Sequence, residues 1–254
     1  MVKLSKRLMT IAGQVPAGSR MADIGSDHAL LPTFLVQSGT SVSAVAGEVN
    51  QGPFEAALTQ VKDAGLTDRI SVRKGDGLAV IQPGEVDTIT IAGMGGSLIV
   101  SILSADPSKL EGVKTLVLQP NVAEDQVREW LRNEGWFLSD EHILEEDRKI
   151  YEVLTAVKRP DAKELTESLY EQNRNLACGM QLTLQQVLDF GPYLLRKAEP
   201  VFVSKWEAEA GKLRRILRTV EQSDLEASKE KAEELRKQID TIGEVLSCLQ
   251  KARP

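Results

Sequence analysis

Short β-rich runs alternate with helix-like runs through the first 160 residues, and this alternation restricts the fold more than any other feature of the chain. It predicts a parallel sheet with helices on both faces. After a helix near 3–14, strands are expected at 19–24, 41–49, 69–77, 86–93 and 113–120, with helices near 28–38, 53–65, 96–104 and 122–134. Two further runs, WFLSDEHILEED and KIYEVLTAVKR, alternate apolar and polar positions with no helix between them. They read as an antiparallel hairpin closing the sheet. Five parallel strands followed by a hairpin is not the order of a two-halved dinucleotide-binding fold.

Near Pro160 the pattern changes, and from Glu164 onward no strand signal remains. A helix at about 163–189 should end at Gly191-Pro192, a strong breaker. Apolar residues then recur at spacings of three and four, first at Leu213, Ile216, Leu217 and Val220, then at Leu235, Ile239, Ile242, Leu246 and Leu249. Ser223 or Asp224 is placed to cap the second run. Two amphipathic helices joined by a short turn make a coiled-coil-like helical hairpin. The expected division is therefore a sheet domain over 1–160 and a helical domain over 161–254.

Composition narrows the classes. No run approaches the roughly 18 apolar residues of a membrane span, and the basic, amphipathic N-terminus lacks the apolar block of a signal peptide. Cytoplasmic residence is the expectation. A net charge of −6 argues against a chain that coats nucleic acid, while leaving local basic patches open. Cys178 and Cys248 lie far apart without metal-ligand spacing, and His28 and His142 are the only histidines. Buried free thiols and no metal site follow. Oligomeric state stays open, with a monomer favoured.

In an open α/β sheet, ligands bind beyond the carboxyl ends of the strands. The five expected strand ends run into Asp23-Ile24-Gly25-Ser26-Asp27-His28, Gly47-Glu48-Val49-Asn50, Gly75-Asp76-Gly77, Ala92-Gly93-Met94-Gly95-Gly96 and Gln119-Pro120-Asn121. Any one of these is an ordinary turn; five in succession are the main sign of a ligand site. Each has a task if the ligand is S-adenosyl-L-methionine. Gly25 allows close backbone approach. Asp23 suits the ammonium of the methionine portion, and Glu48 suits the two ribose hydroxyls. Asp76 can accept from the adenine amine with the Gly77 amide nearby, and Gly93 to Gly96 would border the departing methyl. A dinucleotide would instead need a second glycine after Gly25, and Asp27 would repel its pyrophosphate. A phosphate-free sulfonium cation tolerates an acidic mouth. The fold class is thus a Rossmann-like class I methyltransferase α/β sheet, parallel strands plus a terminal antiparallel hairpin, with a C-terminal α-helical hairpin.

The segments ADIGSDHALLP, AGEVNQGPFEAA, RKGDGL and IAGMGG resemble the bacterial tRNA (adenine-N1)-methyltransferases that modify adenine 22. The N-terminal LSKRL and the helical extension with FGPYLL are similar too, so the likeness covers most of the chain. One position departs: Leu30 stands where the family pattern has tyrosine, which leaves a base-stacking role unassigned. The resemblance implies that Asp23, Gly25, Ser26, Asp27 and His28 form the methionine-side cradle. It places Glu48 and Val49 at the ribose, Asp76 and Gly77 at adenine, and Ala92, Gly93, Met94, Gly95 and Gly96 at both cofactor and target base. Asn121, at the fifth strand end, is expected on the substrate side.

Adenine N1 carries a free in-plane lone pair and its methylated product is a cation, so no strong general base is expected. Asp27, and after it His28, are the expected catalytic groups, stabilising positive charge as it grows on the ring. Reaching N1 takes the base out of its contacts at a cost of about a few kcal/mol. Basic clusters that could offset this through the RNA backbone are Lys3, Lys6 and Arg7, and Lys212, Arg214, Arg215 and Arg218. Other readings are a methyltransferase for another RNA or a small molecule, and a non-catalytic RNA-binding scaffold; the helical hairpin could equally serve dimerisation.

Overall fold

A computed structural model of the chain describes residues 2–222 and 225–251. It divides into two compact units, Met1–Ser168 and Leu169–Pro254.

The first unit is a seven-stranded sheet of order β3-β2-β1-β4-β5-β7-β6. Its strands are β1 (Ser19–Ile24), β2 (Ser41–Glu48), β3 (Ile70–Lys74), β4 (Thr88–Met94), β5 (Thr115–Pro120), β6 (Phe137–Glu146) and β7 (Lys149–Val157). The first five pair in parallel, while β7 runs antiparallel to both β5 and β6. Helices α1 (Lys6–Ala12), α2 (Leu30–Gln37), α3 (Gln51–Asp63), α4 (Gly96–Ala105) and α5 (Glu124–Asn133) connect and cover it. The central strands are apolar almost throughout because both faces are covered. In β1, five of six residues are buried, and in β5 all six are. Ile11, Leu31, Leu35, Met21, Ala46, Ala57 and Val61 form a core in which α1, α2 and α3 pack on β1 and β2. Among the described residues, no helix is long and apolar enough to cross a membrane.

Three features differ from the sequence expectations. The helix expected from residue 28 starts only at Leu30, after a short helical turn over Asp27–Ala29 in which His28 and Ala29 both have positive φ. The helix expected over 163–189 is two: α6 (Ala162–Asn173) and α7 (Leu184–Phe190). Between them a backbone bridge joins Asn175 to Gln181, with Gly179 at φ +87°. Thr183 then starts α7 afresh through a reciprocal cap with Gln186, a local signal that competes with helix continuation. Thirdly, the cysteines are not free thiols: Cys178 in that loop is bonded to Cys248, with Cα atoms 5.5 Å apart across 70 residues of chain. Only the reversal of the chain through the helices brings them together, which is why spacing could not reveal the pair.

Helix α8 (Pro192–Lys197) begins, as its Pro at the first position favours, directly after Gly191. The two long helices are α9 (Pro200–Val220) and α10 (Glu226–Lys251). Leu235, Ile239, Ile242 and Leu246 are buried, whereas Ile216 is exposed. An Arg236–Glu221 ion pair joins α10 to the end of α9, and Phe190, Phe202 and Trp206 cluster with centroids 4.2 to 6.3 Å apart. The proposed caps Ser223 and Asp224 lie outside the described residues.

Candidate active site at the carboxyl ends of the strands

The strand order reverses between β1 and β4, and the carboxyl ends beside that point form the crevice typical of open α/β sheets. Register places Asp23 opposite both Ala46 and Thr90, and Glu48 opposite Lys74, so the tips of β1, β2, β3 and β4 share one rim. Backbone hydrogen bonds lace the tips together. The Gly25 and Ser26 N–H groups both donate to Gly47 O at 2.9 Å, and the Gly75 N–H donates to Glu48 O at 3.0 Å. Asp23, Gly25, Ser26, Glu48, Asp76, Gly77, Gly93, Met94 and Asn121 are thereby brought to this end of the sheet.

Asp23 is buried and held rigidly. One carboxylate oxygen accepts from Ser26 Oγ and the other from Thr90 Oγ1, each at 2.6 Å. Burial pushes its carboxyl above the usual range, against those two hydrogen bonds and the nearby positive charge of Arg7. Ser26 is itself buried, so its hydroxyl serves to position Asp23. Glu48, also buried, accepts from the backbone N–H of Asn50 at 2.7 Å and from Asn50 Nδ2 at 3.1 Å through one oxygen, which anchors the start of α3. Asp76 is exposed at the start of a short helical turn over Gly77–Val80.

Gly25 sits at φ +73°, and a Cβ there would lie 2.2 Å from Met94 Cε. The space over this backbone is thus bounded by the flexible tip of one side chain. Beyond it, Asp27 and His28 project outward with side chains 81% and 55% exposed, 3.3 Å apart. Consecutive positive φ angles at His28 and Ala29, neither a glycine, store backbone strain where the crevice opens, as functional sites commonly do. Val49 is exposed at the β2 tip, and Ala92 is half-buried on the core side of β4.

Gly93, at φ +79°, is gripped from both sides. Its N–H donates to Gln119 Oε1 at 3.1 Å and its carbonyl accepts from Asn121 Nδ2 at 2.7 Å. Gly95 borders Val122, with 3.7 Å between a notional Cβ and Cγ2. Gly96 differs from the expectation of a substrate-facing residue: it is buried, and a Cβ there would lie 2.0 Å from Ala123 O. Its small size lets α4 pack on the chain after β5.

The basic residues separate as well. Lys3 and Lys6 are exposed, the latter donating to Glu145 O at 3.0 Å. Arg7 departs from them: it is half-buried on the rim, with Nη1 donating to Gln119 Oε1 at 2.6 Å and its guanidinium 5.5 Å from the Tyr151 ring centre. Arg214, Arg215 and Arg218 are exposed on α9 of the second unit, while Lys212 pairs with Glu209. Sequence reasoning missed Thr90 and Tyr151, and gave Gln119 no task. A buried hydroxyl or amide in an otherwise aliphatic strand, as in TITIAG and TLVLQP, is the signal that could have found Thr90 and Gln119. Among the described residues, no group of three or more His, Cys, Asp or Glu could hold a metal ion.

The sequence profile of the tRNA (adenine(22)-N(1))-methyltransferases matches residues 21–244. A tRNA (adenine(22)-N(1))-methyltransferase of Bacillus subtilis is 44% identical over 246 residues, which cover 96% of this chain and 98% of that one. The crystal structure of the B. subtilis m1A22 tRNA methyltransferase TrmK superposes with a TM-score of 0.86 at 44% identity, covering 97% and 100% of the two chains. Streptococcus pneumoniae Sp1610 in complex with S-adenosyl-L-methionine superposes with a TM-score of 0.80 at 39% identity, covering 96% and 100%.

Proposed function

The chain belongs to the tRNA (adenine(22)-N(1))-methyltransferase family, and from that premise we propose that it transfers a methyl group from S-adenosyl-L-methionine to N1 of adenine 22 in tRNA, in the cytoplasm. The observation that carries the reading is the convergence of Asp23, Glu48 and Asp76 on adjacent strand tips around the strongly bent Gly25 backbone. Buried Asp23, with two hydroxyl donors fixed on it, fits a cationic amino acid end. Glu48 has one oxygen committed to Asn50 and fits a diol with the other. A positive-φ glycine whose neighbour is a flexible methionine tip fits a closely approaching ligand.

When bound, the cofactor supplies a methyl carbon made electrophilic by the sulfonium. The residues of this chain position and stabilise. Gly93, held by Gln119 and Asn121, gives a rigid wall beside the place where the target base must sit, and rigid placement lowers the barrier by removing orientational freedom beforehand. Asp27, exposed at the mouth, carries negative charge towards a ring that becomes cationic on methylation; His28 adjoins it at 3.3 Å. No proton has to leave N1 before attack. Lys3, Lys6 and the α9 residues Arg214, Arg215 and Arg218 bind the RNA backbone, and the helical unit, 161–254 in the proposed division, serves to hold folded tRNA.

The experiment is direct. Unmodified tRNA is incubated with labelled S-adenosyl-L-methionine, digested and resolved by nucleoside mass analysis. Label in 1-methyladenosine, mapped to position 22, is expected. Label in another nucleoside overturns the assignment, and cofactor binding without transfer to any RNA favours a small-molecule acceptor.

A further inference from the structure

The bond between Cys178 and Cys248 has unequal ends. Cys178 is exposed near the tip of the loop between α6 and α7, whereas Cys248 is buried in α10. In thiol–disulfide exchange a thiolate attacks one of the two sulfurs, and access helps decide which. Here the accessible end is Cys178. In a compartment whose glutathione pool keeps thiols reduced, a disulfide with one exposed end is open to such exchange.

Neither end owes its shape to the bond. The loop is closed by its own backbone: the Leu182 N–H donates to Arg174 O at 2.7 Å, the Leu176 N–H donates to Met180 O at 2.9 Å, and Asn175 bridges to Gln181. Arg174 Nε also donates to Leu182 O at 3.1 Å. Helix α10 is held through buried Ile242, Val245 and Leu246, and Gln186 Nε2 of α7 donates to Thr241 Oγ1 at 3.4 Å. Opening the bond therefore unties one preformed segment from another, a local event within the unit. The 70-residue span between the cysteines contains α9 with its exposed Arg214, Arg215 and Arg218. A closed bond restricts the conformations open to that span, so less ordering is left for RNA binding to impose.

We propose that Cys178–Cys248 is an exchange site for low-molecular-weight thiols, entered at Cys178, and that its state sets how tightly the helical unit holds tRNA; the second half rests on the tRNA reading above. A thiolate forms a new S–S bond to Cys178 Sγ. The bond to Cys248 breaks, and its electron pair leaves on the Cys248 sulfur, which takes up a proton. A second thiolate attacks the outer sulfur of the mixed disulfide and releases Cys178 as a thiol. The protein gains two electrons and two protons, and two small thiols become one small disulfide. Closure runs the same steps backwards, with the small disulfide as oxidant.

Glutathione is the probe. The full chain, without denaturant, is equilibrated with mixtures of reduced and oxidised glutathione, alkylated and weighed intact. The bond should pass from closed to open within the ratios that this couple can set. A brief pulse of reduced glutathione, followed by peptide mapping, should find the mixed disulfide on Cys178. Treated with oxidised glutathione, Cys248→Ser should take up one glutathionyl group per chain, and Cys178→Ser should take up none while folded. A bond that glutathione leaves closed at every ratio, an adduct on Cys248, or equal uptake by the two variants overturns the exchange site. For the second half, the open form should bind tRNA about fivefold or more weakly, in the usual range of coupling between sites, with cofactor affinity unchanged. The double variant Cys178→Ser/Cys248→Ser should match the open form at every glutathione ratio. Equal tRNA affinity of the open and closed forms overturns the coupling. Absence of tRNA binding in both forms overturns it together with the tRNA reading, while the exchange site stands or falls on the adduct alone.

Discussion

Asp23 shows how one residue can trade stability for binding. Its folded-state pKa is raised by burial, so the folded protein favours the protonated acid relative to the unfolded chain. The stability this group contributes is full below the ordinary carboxyl range and is lost as pH rises through the raised value. Asp23→Asn retains groups able to pair with Ser26 and Thr90 and never ionises. Without ligand, its melting temperature at pH 8 should equal or exceed that of the unaltered protein, with the difference closing towards pH 4, while calorimetry should find binding of S-adenosyl-L-methionine abolished. A lower melting point at pH 8 together with retained affinity would place the ammonium site elsewhere. Gly25→Ala tests the neighbouring backbone. A side chain at φ +73° costs about 1 kcal/mol or more and displaces Met94, so both urea stability and cofactor affinity should fall. Asp23 and Gly25 were legible in the sequence because Asp-Ile-Gly at a strand end carries its own backbone and charge logic. Arg7 was not, since its destination depends on Glu146, 139 residues away.

At the scale of elements, a buried charge cluster holds α5 to the hairpin. Arg128 on α5 binds Glu141 on β6 through Nε at 2.6 Å and Glu152 on β7 through Nη2, all three side chains being essentially inaccessible. Arg128→Met would leave two carboxylates buried without their guanidinium. A loss of about 3–5 kcal/mol in chemical denaturation is expected, and near-neutrality would mean that water reaches the cluster. The strands themselves were readable to within a few residues, because an alternating or continuous apolar run is a local property of the chain. The break between α6 and α7 was not, since the Asn175–Gln181 bridge and the Thr183 cap override a pattern that would otherwise continue as helix. Cys248→Ser, or reduction of the Cys178–Cys248 bond, should lower the stability of the helical unit by about 2–4 kcal/mol, read from its helical signal in urea with and without reductant.

For the whole molecule, the net charge of −6 means that tRNA attraction must come from local patches. The affinity for tRNA should therefore fall steeply with salt, and Arg214→Ala and Arg218→Ala should each reduce the log–log slope by about one without altering cofactor affinity. A flat salt dependence in the unaltered chain would exclude the phosphate contacts. By itself, the sequence determined the alternating α/β plan, the closing hairpin, the helical C-terminal third and the strand-end residues that resemble the family, since all of these are written in local periodicity and short motifs. Only the tertiary structure decided how the expected rim of Asp23, Glu48 and Gly93 is laced by hydrogen bonds, that Arg7 leaves the lysines for Gln119, that Gly96 serves packing, and that Cys178 meets Cys248. Those facts depend on strand order and chain reversal, which join groups far apart in sequence through contacts that no local pattern encodes.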